Sequence, residues 1–397
     1  MAQIAGGDGA RLHHFDAAHA IMLLMGIPYH AALLYRLSGD WILVSPDRSV
    51  TATLIVALIH SFRMPAFFIL SGYFGAMLLH RRGASAWLRQ RLLRIGVPIV
   101  GSLLLFGFAE HFLLSMAQGD MNPAEVLADM ASRPDFLFHR WFLIVLLLLS
   151  LALLGVLPLA QHYRSAAAVF VRRLQVRGLI WLPLAALCLA SVAAGLFDVA
   201  AQALGWPLFA EYGRKFLYFA PFFFAGAACQ LHGRLLVHFL NVTRRQIWIT
   251  AILLLCYVAS YRGFYGPDFV AAHPYVALGI GIVRDFTAVA TGFAVTRLFL
   301  AWARNRFAAP SQRVRYVVDG ALGIYLSHML FVLLYGGMFL HVTLPPMLEI
   351  ALISGASLLS VLAVHHLTQR SHLLALLLNG TPLRLRAEPR FRSPFRR

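Results

Sequence analysis

The sequence is short of charge. Only 13% of its 397 residues are Asp, Glu, Lys or Arg, against roughly 25% in an ordinary soluble domain. Carboxylates are scarcest, with 16 Asp and Glu facing 34 Lys and Arg. Cysteine is nearly missing. Cys188, Cys229 and Cys256 lie inside apolar runs, at spacings that build neither a metal site nor a disulfide framework, so they read as packing residues. There is no Gly-x-x-x-x-Gly-Lys-Ser/Thr loop, no Gly-x-Ser-x-Gly elbow, no His-Glu-x-x-His pair and no Cys-x-x-Cys. Gly279-Ile280-Gly281 lacks the third glycine of a dinucleotide fingerprint and sits in an apolar run. These absences exclude phosphate-loop, elbow-serine, zincin and dithiol chemistry. They also exclude a disordered, collagenous or coiled-coil chain, and no permanently bound metal or cofactor is expected.

What fills the chain instead is apolar: 60% of the residues are hydrophobic, with a mean hydropathy of +0.73. Stretches long enough to span a bilayer fall approximately at 15–36, 51–79, 95–116, 138–160, 179–201, 214–231, 246–261, 274–302, 317–340 and 346–368. The expected fold is all-α, a polytopic integral membrane helical bundle of about ten transmembrane helices. One membrane domain covers 15–370, preceded by a segment 1–14 and followed by a basic tail 371–397. The first stretch does not read as a cleavable signal peptide, because no small-residue cleavage site follows it. No internal repeat is evident.

The net charge of +18 invites a nucleic-acid reading, which the placement of the arginines answers. One set of links holds Arg81, Arg82, Arg89, Arg91 and Arg94, then Arg164, Arg172, Arg173 and Arg177, then Arg234, Arg244 and Arg245, then Arg304, Arg306, Arg313 and Arg315, with no acid among them. The alternate links carry Asp40, Asp47, Asp120, Glu125, Asp129, Asp135, Glu211 and Asp268. By the positive-inside rule this predicts an even number of spans with both termini cytoplasmic, in a bacterial inner membrane. The tail, with Arg384, Arg386, Arg390, Arg392, Arg396 and Arg397, then reads as a topogenic segment near anionic lipid, with no nucleic acid as partner.

Ionisable groups inside spans cost about 2.5–3.5 kcal/mol on insertion scales and are functional candidates. On an ideal helix Asp16, His19 and His30 share one face. His60 and Arg63 lie three apart beside Pro65, which frees a backbone carbonyl and invites a kink. Glu110, His111, His139, Arg140 and Trp141 mark the outer ends of the third and fourth spans, Arg284 and Asp285 enter with the eighth, and Asp319, Tyr325 and His328 stand on the ninth. One such group alone is a hydrogen bond between helices, whereas a set recurring at one depth points to a polar cavity on the outer side. Other readings are His139 and Arg140 as snorkelling residues, Arg284–Asp285 as a packing pair, and His111, His365 and His366 as interfacial. With the other motifs missing, histidine is the remaining general base for a hydroxyl.

The runs Phe15-Asp16-Ala17-Ala18-His19, Gly26-Ile27-Pro28-Tyr29-His30 and His60-Ser61-Phe62-Arg63-Met64-Pro65 through Ser71-Gly72-Tyr73-Phe74 resemble the integral-membrane acyltransferase-3 family. So do Arg91-Leu92-Leu93-Arg94, Trp141-Phe142-Leu143, Tyr218-Phe219-Ala220-Pro221 with Gly226, and Ile324-Tyr325-Leu326-Ser327-His328. The resemblance is strongest to members that succinylate periplasmic glucans. It implies acyl transfer from a cytoplasmic thioester, succinyl-CoA or acetyl-CoA, to a hydroxyl of a periplasmic glucan or other polysaccharide, with membrane lipid around the enzyme and glucan synthase machinery as a possible partner. It implies His30 as catalytic base, with Arg63 and His60 beside it. Asp16, His19, Ser71, His139, Trp141, Tyr325 and His328 would contact substrate, and Arg81, Arg82, Arg91 and Arg94 would meet the donor's phosphates. His19 stands where the family has arginine. Either Asp16 holds it as a cation, or donor handling is altered, or activity is impaired. Two alternatives stay open: O-acetylation of another exported polysaccharide or glycoconjugate, and a non-enzymatic transporter whose intramembrane His and Arg bind an anion.

Overall fold

A computed structural model of the chain describes residues 12–117, 119, 122–126, 137–162, 165, 169 and 181–381, and among these every regular element is helical. Asp120, Asp129, Asp135, Arg164, Arg172, Arg173, Arg177 and the arginines from Arg384 onward lie outside the described residues.

The first apolar stretch is not one rod. It divides into α1 (His13–Leu24) and α2 (Gly26–Leu33), with a turn at Met25. Pro28 contributes by having no N–H to return to the carbonyl of Leu24. α3 (Val50–Arg82) is continuous through Pro65 and starts at Ser49, whose side chain accepts from the Ala52 N–H at 3.3 Å. α4 (Ala84–Arg91) continues through a π-helical turn (Leu92–Gly96) into α5 (Val97–Ser102), and through a second (Leu103–Gly107) into α6 (Phe108–Ala117). A 3₁₀ turn (Phe138–Arg140) leads into α7 (Trp141–His162), followed by α8 (Trp181–Ala203) and α9 (Pro207–Leu231). α10 (Gly233–Leu240) meets α11 (Arg244–Ala259) at a 75° bend. α12 (Pro267–Ala272), α13 (Pro274–Arg306), α14 (Gln312–Asp319), α15 (Ala321–Phe339), α16 (Pro346–Arg370) and α17 (His372–Asn379) complete the chain.

Among the described residues six helices are long and apolar enough to cross a membrane, and seven if the bent pair α10–α11 counts as one span. The chain is therefore a multi-pass membrane protein. Two of the remaining stretches of the expected ten, 15–36 and 214–231, are helical but fall outside that count for physical reasons, while 179–201 begins outside the described residues. α1 and α2 are each too short, and α9 brings Glu211, Arg214 and Lys215 into its first turns.

The core is built on the crossing of α3 and α9. A Cβ at Gly72 would strike the carbonyl of Phe223, and one at Gly226 the carbonyl of Ile69, so the two backbones touch where neither helix has a side chain. Around this crossing Phe68 stacks on Phe219 with centroids 4.4 Å apart and meets Phe142 edge-on at 5.1 Å.

Burial corrects the snorkelling readings of His139 and Arg140 and the interfacial readings of His111 and His365. Arg140 does not snorkel. It is fully buried, with Nη1 donating to Glu110 at 2.6 Å and Nε to Ser102 Oγ at 2.9 Å, because α6 and α5 supply a carboxylate and a hydroxyl that replace water. His365 is also buried, since the α14–α15 junction folds over it and sets Tyr316 at 4.6 Å. Cys188 and Cys229 are packed inside, whereas Cys256 is exposed on α11.

Candidate functional site

Three histidines from separate elements converge, one of them on the second half of the first apolar stretch. α2 places His30, the turn before α7 places His139, and α15 places His328, with ring centroids 5.1 Å apart for His30–His328, 4.9 Å for His139–His328 and 6.4 Å for His30–His139. The carbonyl of Tyr325 organises two of them. It accepts from His139 Nε2 at 3.0 Å and from His328 Nδ1, and the Tyr325 hydroxyl donates to the carbonyl of His139. A carbonyl can only accept, so those two nitrogens carry hydrogen. In the neutral rings this leaves lone pairs on His139 Nδ1 and His328 Nε2, both buried and, among the described residues, without a hydrogen-bond partner, as is His30 Nδ1. Such an arrangement is suited to receiving a proton from a bound hydroxyl.

Arg63 of α3 lies beside this cluster. Its guanidinium sits over the ring of Tyr29 at 4.7 Å, and among the described residues no carboxylate pairs with it. Gly26 makes room for it: a Cβ there would overlap Arg63 Nη1 and approach His328 Nε2 at 3.8 Å. One helical turn earlier, His60 shares a 3.1 Å hydrogen bond with the Tyr29 hydroxyl. His30, His60, Arg63, His139, Tyr325 and His328 thus stand together.

Two unlike cavities flank this group. The first, of about 260 Å³, has Arg91 and Arg94 at one end and Arg63 and Tyr325 at the other, with an apolar middle of Phe67, Leu70 and Phe142. His19 and Ser71 line it. Asp16 does not: it opens on a separate small pocket with Arg315. Asp16 and His19, both on α1, thus open on different pockets, and His30 follows on α2 beyond Met25. Arg81 and Arg82 are exposed at the end of α3, outside the cavity, and Arg82 bonds Gln90 at 2.9 Å.

The second cavity, of about 460 Å³, is polar and aromatic and reaches His60 and Trp141. Trp141 is covered by Lys215 at 4.7 Å and stacks on Phe219 at 5.7 Å. Ion pairs ring it: Asp198 with Arg214 at 2.7 Å, Arg284 with Asp285 at 2.8 Å, Glu211 with Lys215, and Asp40 with Arg36. Half-burial pushes the Asp40 carboxyl up, but the Ser38 hydroxyl and the Arg36 guanidinium outweigh it and hold the group below its usual value. Trp141 faces this cavity and its neighbour Phe142 faces the other, so the packed rings of Phe68, Phe142 and Phe219 form a wall between them.

Sequence reasoning did not assign Gly26, Tyr29, Trp41 (stacked on His30 at 6.1 Å) or the ring of ion pairs to the site. The Arg284–Asp285 pair, read as packing, lines the second cavity. The acids in the links at 37–50 and 202–213 were the available signal for that cavity.

A family model described as an acyltransferase domain matches residues 12–366. Proteins named glucans biosynthesis protein C from Salmonella paratyphi A, Salmonella agona and Salmonella dublin are each 27% identical to this chain over 335 residues, 82% of this chain and 83% of theirs. No solved structure matches the chain.

Proposed function

This chain belongs to the acyltransferase family, and from that premise we propose that it moves an acyl group, succinyl, from a cytoplasmic thioester to hydroxyls of a periplasmic glucan. The observation that carries this reading is that two cavities of opposite character reach one polar cluster from two sides, Arg63 and Tyr325 lining the first and His60 the second, with His30, His139 and His328 packed beside them and lining neither. The narrow one suits a thioester arm, with Arg91 and Arg94 at its mouth to attract the phosphates of a coenzyme A donor. The wide one suits a saccharide. The arginine-rich links then face the cytoplasm, and the second cavity faces the periplasm across the inner membrane.

His30 takes the proton of the acceptor hydroxyl while its oxygen attacks the thioester carbonyl. The new ester C–O bond forms, the C–S bond breaks, and the departing thiolate receives the proton. Arg63, with no carboxylate partner among the described residues, holds the succinyl carboxylate bidentately or stabilises the oxyanion. Tyr325 fixes His139 and His328 around the reacting centre. His19 and Ser71 contact the donor, Trp141 and His60 face the acceptor, and Asp16 acts only at a distance from the cavity.

Mass spectrometry and anion exchange of periplasmic glucans, from cells with and without the gene, test the reading. A succinyl increment with its added negative charge is expected, lost in His30→Ala while folded protein is retained. Uncharged acetyl increments would replace succinyl by acetyl as the group moved. Full transfer by His30→Ala would reject the base, and anion flux without thioester consumption would reject the enzyme reading.

A further inference from the structure

Behind the second cavity lies a third, of about 560 Å³, between α8 and α13. The two are not separate rooms, since Asp198, Gln202, Arg214, Arg262, Arg284 and Asp285 line both. We propose that they form one groove for a neutral saccharide chain of several units, with one end beside His60 and Trp141 and the rest running over the Asp198–Arg214 and Arg284–Asp285 pairs into the far chamber. This rests on the proposed function and adds where the acceptor lies, what charge it bears and how long it must be.

Charge sets the class. Arg36, Arg214, Lys215, Arg262 and Arg284 face Asp40, Asp198, Glu211 and Asp285, and each of these carboxylates has its own cation. Only Arg262 exceeds the pairs, reaching the already paired Asp40 at 4.0 Å, so a polyanion would have to displace carboxylates from the other four cations, and an apolar acceptor would strand the ion pairs. Hydroxyls suit it, because each donates and accepts, and the paired side chains keep spare valences for both. Arg284 uses only Oδ1 of Asp285, through Nε at 2.9 Å and Nη2 at 2.8 Å, and leaves Oδ2 free of that pair. Tyr218 and Tyr257 line the near chamber, and among the described residues neither hydroxyl bonds to a protein group.

Size sets the length. Each chamber alone falls within the range of about 300–1,000 Å³ that holds a drug-sized ligand. A single sugar ring seated near His60 leaves the far chamber untouched, and only a longer chain collects contacts in both.

Gly281 gives a way to close the far chamber. It lines that chamber, and a Cβ built there meets no atom within 4 Å, so a large side chain can be added without a clash at its root. The purified full chain is titrated without donor against linear gluco-oligosaccharides from one to eight units, and against oligogalacturonates of matching length, before transfer is measured on the neutral series. Affinity is expected to rise about tenfold or more once the chain spans both chambers. In Gly281→Trp the preference for long over short chains should fall to within about twofold. A flat length profile, a length preference unaltered in Gly281→Trp, or tighter binding of the anionic series would overturn the groove. So would binding confined to lipid-linked saccharide, which would make the far chamber a lipid port. Length-dependent binding without acyl transfer would leave the groove standing and remove the proposed reaction, whereas transfer with no length dependence would do the reverse.

Discussion

Arg63 illustrates how little separates a structural cation from a working one. It lies within a few ångströms of Tyr29, Gly26 and His328, and its position depends on a hydrogen atom where another residue would carry a methyl group. Gly26→Ala pushes against the far end of a flexible side chain, with no backbone in the way. The melting temperature in detergent is therefore expected to stay within a few degrees, while acyl transfer falls about tenfold or more as the guanidinium is displaced by about 1 Å. Retained transfer in that variant would mean that Arg63 does not need its present place. At this scale the sequence was informative where an ionisable residue interrupted an apolar run, as at His30, Arg63, His139 and His328. Gly26, Tyr29 and Trp41 are ordinary residues in such a run, and only their neighbours in space make them part of the site. Arg140 was misread for a related reason. Its partner Glu110 lies on a different helix, and burial of a charge is decided by such partners.

The helices themselves were readable from the length of their apolar runs, but their interruptions and contacts were less so. Pro28 and Pro65 look alike in the sequence, yet α1 and α2 part near the first and α3 runs through the second. Intrahelical bonding alone does not predict this difference; α3 is held on either side of Pro65 by neighbours, including Gly292 of α13, which leaves room for its ring. The α3–α9 crossing is the counterpart of Gly26. At Gly226 the atoms that meet an added Cβ are backbone, so Gly226→Ala has no flexible group to displace. It is expected to cost about 1–3 kcal/mol, read as a lower melting temperature in detergent, whereas unchanged stability would show that the two helices can separate freely.

For the whole molecule, the charge asymmetry that defines the links also sorts the cavities. Arg91 and Arg94 line the narrow one, and the acidic links meet around the wide one. Of the four arginines expected at the donor site, two line the cavity and two do not. Replacing Arg91 and Arg94 by Gln is expected to raise the donor KM about tenfold with a smaller change in kcat, and to weaken the dependence on ionic strength. The same change at Arg81 and Arg82 should cost less. Equal effects from both pairs would place the donor outside the cavity. None of the cavities was visible in the sequence as a shape, since each is lined from helices far apart along the chain. The aromatic wall of Phe68, Phe142 and Phe219 bears on the cell's energy supply. Under the proposed placement in the inner membrane, a wet path between the two cavities would short-circuit the proton gradient, and the packed rings of this wall close that path.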